Sequence, residues 1–264
     1  MILQSNIVIS FSAGILAFGM ARFSKNEHAV LWGLILLFST LFIYNLLRII
    51  KFSIHPYTAQ ALANQEYQRL NFVVGGIGLL GGSVGLMYLQ LNTEVWFWLM
   101  ITSICCLLYV IPVVNIDGKR KALRDLPGLK IFVIAGVWSI LCFYLPLVEP
   151  VRSVIITVLG FSYILGMTIP FDIRDLPFDH SSQRTIPQLV GWKIARLLSI
   201  ILVMLFFVGI GIIFPALVFT PWYWITCCAH IVVLWLVSPH QSHAFYGYFI
   251  DGSIALIGLL FAFG

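Results

Sequence analysis

Charge is what this sequence has least of. Asp, Glu, Lys and Arg together make up 9% of 264 residues, against 61% hydrophobic residues and a mean hydropathy of +1.01. A water-soluble core of that size is excluded, because too little polar surface exists to cover it, so the bilayer must supply part of the solvent. Cysteine is sparse as well. Cys105, Cys106, Cys142, Cys227 and Cys228 lie in or beside apolar runs, with no His or carboxylate at metal-ligand spacing. That excludes a thiolate metal centre and predicts free, packed thiols. The first apolar stretch, from Ile7, lacks a basic flank and a small-residue cleavage site, so it reads as a retained spanning helix and not a signal peptide. No polar segment is long enough for a soluble domain, and no repeat, low-complexity tail or heptad pattern is visible. Residues 1–264 read as one polytopic transmembrane domain.

What is present is a series of apolar segments of spanning length. Their centres fall near Ala13, Leu37, Leu79, Thr102, Val137, Ile156, Phe206, Val232 and Leu256, which predicts nine helices. The last three are divided only by Pro221 and the stretch "VSPHQSHAF". Lys and Arg are retained on the cytoplasmic side of membranes. With the N-terminus inside, that side holds Arg48, Lys51, Arg69, Lys119, Arg120, Lys121, Arg124, Lys130, Arg174, Arg184, Lys193 and Arg196, and the other side only Arg22, Lys25 and Arg152. The net charge of +5 therefore reflects topology and contact with anionic lipid, and gives no reason to expect nucleic acid.

Against this scarcity of charge, three of the ten acidic residues fall within eight positions, as Asp172, Asp175 and Asp179. Spacings of three and four place them on one face of a helix. Carboxylates so gathered repel one another unless a cation sits among them, and hard oxygen ligands suit Mg²⁺, which binds through a few carboxylates and substrate phosphate. A structural reading competes: a solvated helix end in which Asp172 pairs with Arg174 and the others cap a turn near Pro177.

The stretch "DIRDLPFDHSSQRTIPQLVG" resembles the second aspartate motif of the UbiA superfamily of membrane prenyltransferases, with Asp172, Asp175, Asp179 and Thr185 on the pattern. "YVIPVVNIDGKRKALRDLPGLKIFVIAGVW" adds Tyr109 near the end of the fourth helix, a basic connection, Lys130 opening the fifth helix, and Trp138. The resemblance implies an all-α integral membrane bundle of nine helices around a central cavity open sideways to lipid. It implies a transferase that binds an isoprenyl diphosphate through Mg²⁺ at Asp172, Asp175 and Asp179 and passes the prenyl group to a lipophilic, aromatic acceptor. The location it implies is a bacterial inner membrane, with the site facing the cytoplasm. Metal ions would offset charge developing on the leaving diphosphate, while apolar walls shield the allylic cation.

The first aspartate motif of that superfamily is lost. Its place is taken by "NLLRIIKFS", in which Asn45 remains and Leu46, Ile49 and Ser53 stand at the aspartate positions. Arg48 and Lys51 can simply mark the inside end of the second helix and reach to lipid headgroups, and two further readings give them a part in the site. They replace one metal, Arg48 gripping phosphate with its planar fork and Lys51 as a point charge. Alternatively Arg48 neutralises Asp172 or Asp175, and the chain is an inactive or repurposed relative that binds lipid phosphate or a partner. The expected substrate-binding set is Asn45, Arg48, Lys51, Tyr109, Lys130 and Arg174. Lys119, Lys121 and Arg124 serve as topology determinants or as further phosphate ligands. His55 and His180 flank the motif regions, while His240 and His243 are too isolated for a metal. "GGIGLLGGSVG", inside an apolar span, predicts close helix packing and not a phosphate loop. A transporter is disfavoured, because the acidic cluster lies at a helix end and no paired broken helices are visible.

Overall fold

The computed structural model describes residues 6–54, 65–89, 91–116, 119–148, 150–178 and 183–264. Nearly all of it is helix. The long elements are α1 (Ile7–Phe23), α2 (Ala29–Ile54), α3 (Gln65–Tyr88), α4 (Thr93–Val110), α5 (Leu129–Tyr144), α6 (Pro150–Asp175), α7 (Trp192–Ile213), α8 (Pro221–Trp235) and α9 (His243–Phe263). Six of them, α2, α3, α4, α6, α7 and α9, are long and apolar enough to cross a membrane, while α1, α5 and α8 are shorter apolar helices. The chain is thus an all-α protein with the character of a multi-pass membrane protein. Between α4 and α5, Val114–Ile116 and Lys119–Lys121 pair as a short antiparallel ribbon, with Val114 opposite Lys121.

Local signals set the helix ends. The Asn92 side chain accepts from the Val95 amide at 2.9 Å and caps α4. Ser242 does the same for α9, accepting from the Phe245 amide at 3.2 Å. Pro221 occupies the first turn of α8, where a missing N–H costs nothing. Both α5 and α9 contain a five-residue π turn, Ile140–Tyr144 at the end of α5 and Tyr246–Ile250 inside α9.

Close helix crossings depend on glycine. A Cβ on Gly78 would lie 2.6 Å from the Phe42 amide nitrogen and 2.7 Å from the Phe38 carbonyl oxygen, so α3 rests directly on the α2 backbone. The Gly-rich run 75–85 is therefore a packing face, as its apolar setting predicts. At Gly19 and Gly258 the backbones of α1 and α9 touch, and any side chain at either position would overlap the facing main chain. α6 and α7 are joined differently. Ser162 donates to the Leu202 carbonyl at 2.8 Å and Ser199 to the Gly166 carbonyl at 2.6 Å. Phe143, Tyr163, Phe206, Phe207 and Tyr223 fill the space between α5, α6, α7 and α8, with ring centroids 5.0–6.3 Å apart.

Candidate functional site

The aspartate stretch is shaped by two prolines. Pro170 lies inside α6 and cannot donate to the carbonyl four residues back, which is Gly166. That carbonyl is the one satisfied by the Ser199 hydroxyl, so α7 supplies the bond that proline removes. Two residues beyond Pro170, α6 still carries Asp172 inward, and the helix stops at Asp175, two residues before Pro177. The Phe178 amide closes the turn by donating to the Asp175 carbonyl at 2.8 Å. The expected helical face therefore ends before Asp179, which lies outside the described residues together with His55 and His180. The side chain of Lys51 is likewise outside the described set, although its backbone belongs to α2.

Asp172 and Asp175 each have a cation already. Lys130 Nζ, from the start of α5, donates to Asp172 Oδ1 at 2.8 Å, and Asp172 is only 1% exposed. Arg174 meets Asp175 through a fork, Nε to Oδ1 at 2.7 Å and Nη2 to Oδ2 at 3.0 Å. The guanidinium carbon of Arg174 also lies 5.1 Å from the Phe171 ring centre and 5.6 Å from that of Tyr246. The expectation that Asp172 pairs with Arg174, or that Arg48 pairs with either aspartate, is corrected: Lys130 holds Asp172 and Arg174 holds Asp175. Among the described residues no group of three His, Cys, Asp or Glu side chains is placed to hold a metal ion. The carboxylates meet opposite charge from side chains first.

These groups open onto one cavity of about 640 Å³. Its wall takes the first residues of α1, the last turns of α2, the first turns of α5, the end of α6 and the first half of α9. Asn6, Arg48, Lys130, Asp172, Arg174, Asp175 and His243 gather where those helices begin or end. Further along the same helices the wall becomes Val8, Ile9, Tyr44, Ile131, Ile134, Trp138, Ile164, Met167, Phe171 and Ile254. The cavity is thus charged at one end and mainly apolar and aromatic along its length, where Thr168 and Asp251 are the polar exceptions beside the Tyr44 hydroxyl and the Trp138 N–H.

The other expected site residues are placed around it. Arg48 lines the cavity beside the aspartate end. Asn45 does not line it: fully buried, it donates to the Leu41 carbonyl at 2.7 Å, accepts from Asn6 at 3.5 Å, and its Cβ faces Gly75 of α3. Asn45 and Arg48 lie one turn apart on the same side of α2, and the contact with α3 claims Asn45 while Arg48 reaches the cavity. Tyr109, at the end of α4, is outside the lining but within electrostatic reach of Lys130 and Tyr44. Thr185 sits behind the Lys130–Asp172 pair in a small crevice with Arg124 and Gln183.

Sequence reasoning missed Tyr44, Thr168 and Asp251, all of which line the cavity. Asp251 had a legible signal: it is a carboxylate at the head of thirteen residues that are otherwise uncharged, inside a span. Tyr44 had none, being one aromatic among many. No family model matches the chain, and neither does any curated protein or solved structure.

Proposed function

We propose that this chain is a membrane-embedded prenyltransferase of the UbiA type, with nine membrane-spanning helices and its charged cavity end toward the cytoplasm. The supporting observation is the cavity itself. A charged end formed by Arg48, Lys130, Arg174 and the two aspartates continues into an apolar, aromatic-walled void, which is the complement of an amphiphile with an anionic head and a hydrocarbon tail. An isoprenyl diphosphate has that form. Arg48 takes the phosphate oxygens through its fork, and Lys130, oriented by Asp172, adds a second positive charge. Asp175, with Asp172 and Asp179, would hold Mg²⁺, which would offset the negative charge that develops on the leaving diphosphate. Trp138, Tyr44 and Phe171 provide π faces beside the void, where an allylic cation is shielded from water. The acceptor is a lipophilic molecule that shares the cavity.

The test is equilibrium binding of radiolabelled farnesyl diphosphate to the purified protein in detergent, with Mg²⁺ and with chelator. Saturable binding that Asp175→Ala abolishes in the presence of Mg²⁺ is expected. Absence of saturable binding by the parent protein sinks the reading.

One observation favours a second reading, a repurposed site that holds a lipid phosphate without transfer. Both described aspartates of the motif, Asp172 and Asp175, are neutralised by side chains, and the first aspartate motif is replaced by Leu46, Ile49 and Ser53. Release of inorganic diphosphate on adding acceptor separates the two: the transferase releases it, and the repurposed binder retains intact ligand.

A further inference from the structure

Asp251 is the acidic group of the cavity that the diphosphate end does not use. It follows directly on the π turn Tyr246–Ile250, and π turns inserted in helices concentrate at functional positions. Gly247, one turn before it, and Ile254, one turn after it, line the same void. A carboxylate inside an apolar span is costly unless it is paired or serves a ligand. Asp172 and Asp175 are paired. Asp251 has no hydrogen bond or ion pair among the described residues. Arg174 acts on it only from a distance, with Nε and Nη2 committed to Asp175.

Tyr44 lines the same void, within electrostatic reach of Asp251. Trp138 Nε1 donates to the Tyr44 oxygen at 3.2 Å. A phenol has one proton to give and lone pairs to receive, so this bond leaves the Tyr44 proton uncommitted among the described residues while fixing the position of its oxygen. The apolar part of the cavity therefore presents an acceptor, Asp251, and a held donor, Tyr44. Asp251 is eight residues along α9 from His243 at the charged end, roughly 12 Å at the helical rise.

We propose that Asp251 and Tyr44 form a second-ligand subsite for a lipophilic molecule whose head carries a hydroxyl group. The hydroxyl donates to the Asp251 carboxylate, an oxygen of the same head accepts from Tyr44, and Trp138 is the positioning residue for Tyr44. The assignment of this molecule as prenyl acceptor rests on the transferase reading; the subsite itself rests on the geometry of these three residues.

The experiment uses the native protein in detergent and dicyclohexylcarbodiimide, a lipophilic reagent for carboxyls in apolar surroundings, with the modified residues read by peptide mass spectrometry. Asp251 is labelled, with Asp172, held by Lys130, as the internal reference. Para-nonylphenol protects Asp251 at about tenfold lower concentration than its methyl ether, which has the same shape and no proton to donate, since one hydrogen bond to a charged group is worth about that factor. Tyr44→Phe weakens protection by both molecules, because each carries an oxygen that accepts from Tyr44, and leaves the difference between them in place. An unlabelled Asp251, or equal protection by phenol and ether, overturns the subsite. Failure of the parent protein to bind farnesyl diphosphate, with phenol-specific protection intact, overturns the transferase reading and leaves the subsite standing. Asp251→Asn retains farnesyl diphosphate binding if the two sites are separate; loss of that binding in a variant of parental thermal stability counts against the subsite.

Discussion

Two sets of polar groups lie inside the apolar helices, and they are treated in opposite ways. Between α6 and α8, Tyr163 and His230 are both fully buried, and the tyrosine hydroxyl lies 2.9 Å from His230 Nε2. His230 Nδ1 lies 2.8 Å from the Thr226 carbonyl, which can only accept, so Nδ1 carries the hydrogen and Nε2 receives the one from Tyr163. Phe206 and Phe207 pack against the pair, and neither Tyr163 nor His230 lines the cavity described above. Around the cavity the reverse holds: Asp251 and Tyr44 line the void, and neither the Asp251 carboxyl nor the Tyr44 proton has a hydrogen-bond partner among the described residues. Polar groups that satisfy one another and are packed on all sides fix which helix meets which. Polar groups left without a partner beside a void are arranged for something that arrives. The Lys130–Asp172 pair stands between these cases, satisfied internally yet open to the cavity on one side.

The comparison is broken most severely at that intermediate pair. Lys130→Ala strands a carboxylate that is 1% exposed, and breaking a buried pair in this way costs roughly 3 to 5 kcal/mol. A large drop in the thermal unfolding midpoint in detergent is expected. The double variant with Asp172→Asn recovers much of it, because no unpaired charge remains. If the single variant unfolds at the parental temperature, Lys130 and Asp172 are not a structural pair and belong wholly to the ligand. A smaller loss is expected at the packed pair. His230→Leu leaves the Tyr163 hydroxyl without its acceptor, at a cost of about 1 kcal/mol, the scale of interhelical hydrogen bonds in membrane bundles. Adding Tyr163→Phe restores part of that stability, and farnesyl diphosphate binding is unchanged in both variants. A binding defect in His230→Leu at normal stability would contradict the purely architectural role.

How much of this was legible in the sequence depends on the kind of information each residue carries. Apolar length survives any folding, so the long helices and the glycine face at 75–85 could be read directly. The aspartate stretch could be read as a site because charge is so rare here. Its internal pairing could not: Lys130 and Arg174 were expected to meet substrate, and their distances to Asp172 and Asp175 depend on how α5 is set against α6. A turn near Pro177 is legible from the proline, and α6 ends at Asp175. Asn45 illustrates a different limit. Asn45 and Arg48, three apart, share one side of α2, and only the position of α3 decides that Arg48 and not Asn45 reaches the cavity. Asp251 is legible as a carboxylate inside an apolar span, but its place beside Tyr44, about two hundred positions away in the chain, depends on how α2 and α9 meet the same cavity.

The smallest expected effect on stability, and the sharpest on binding, is at Arg48. It lines the charged end but is not the cation that holds Asp172 or Asp175, so its removal strands neither carboxylate. Arg48→Ala should therefore shift the unfolding midpoint far less than Lys130→Ala. If the guanidinium grips phosphate, the same change removes charge-assisted hydrogen bonds worth about 1.5 to 3 kcal/mol, a weakening of farnesyl diphosphate binding by roughly ten- to a hundredfold. Arg48→Lys should restore only part of that affinity, because a point charge cannot reproduce a bidentate fork. The opposite result, a large stability loss with binding unaltered, would place Arg48 with the Tyr163–His230 class of groups that serve the fold. The boundary between the packed and the open region would then run through the cavity wall itself, leaving Lys130 and Arg174 as the cations able to meet an anionic head.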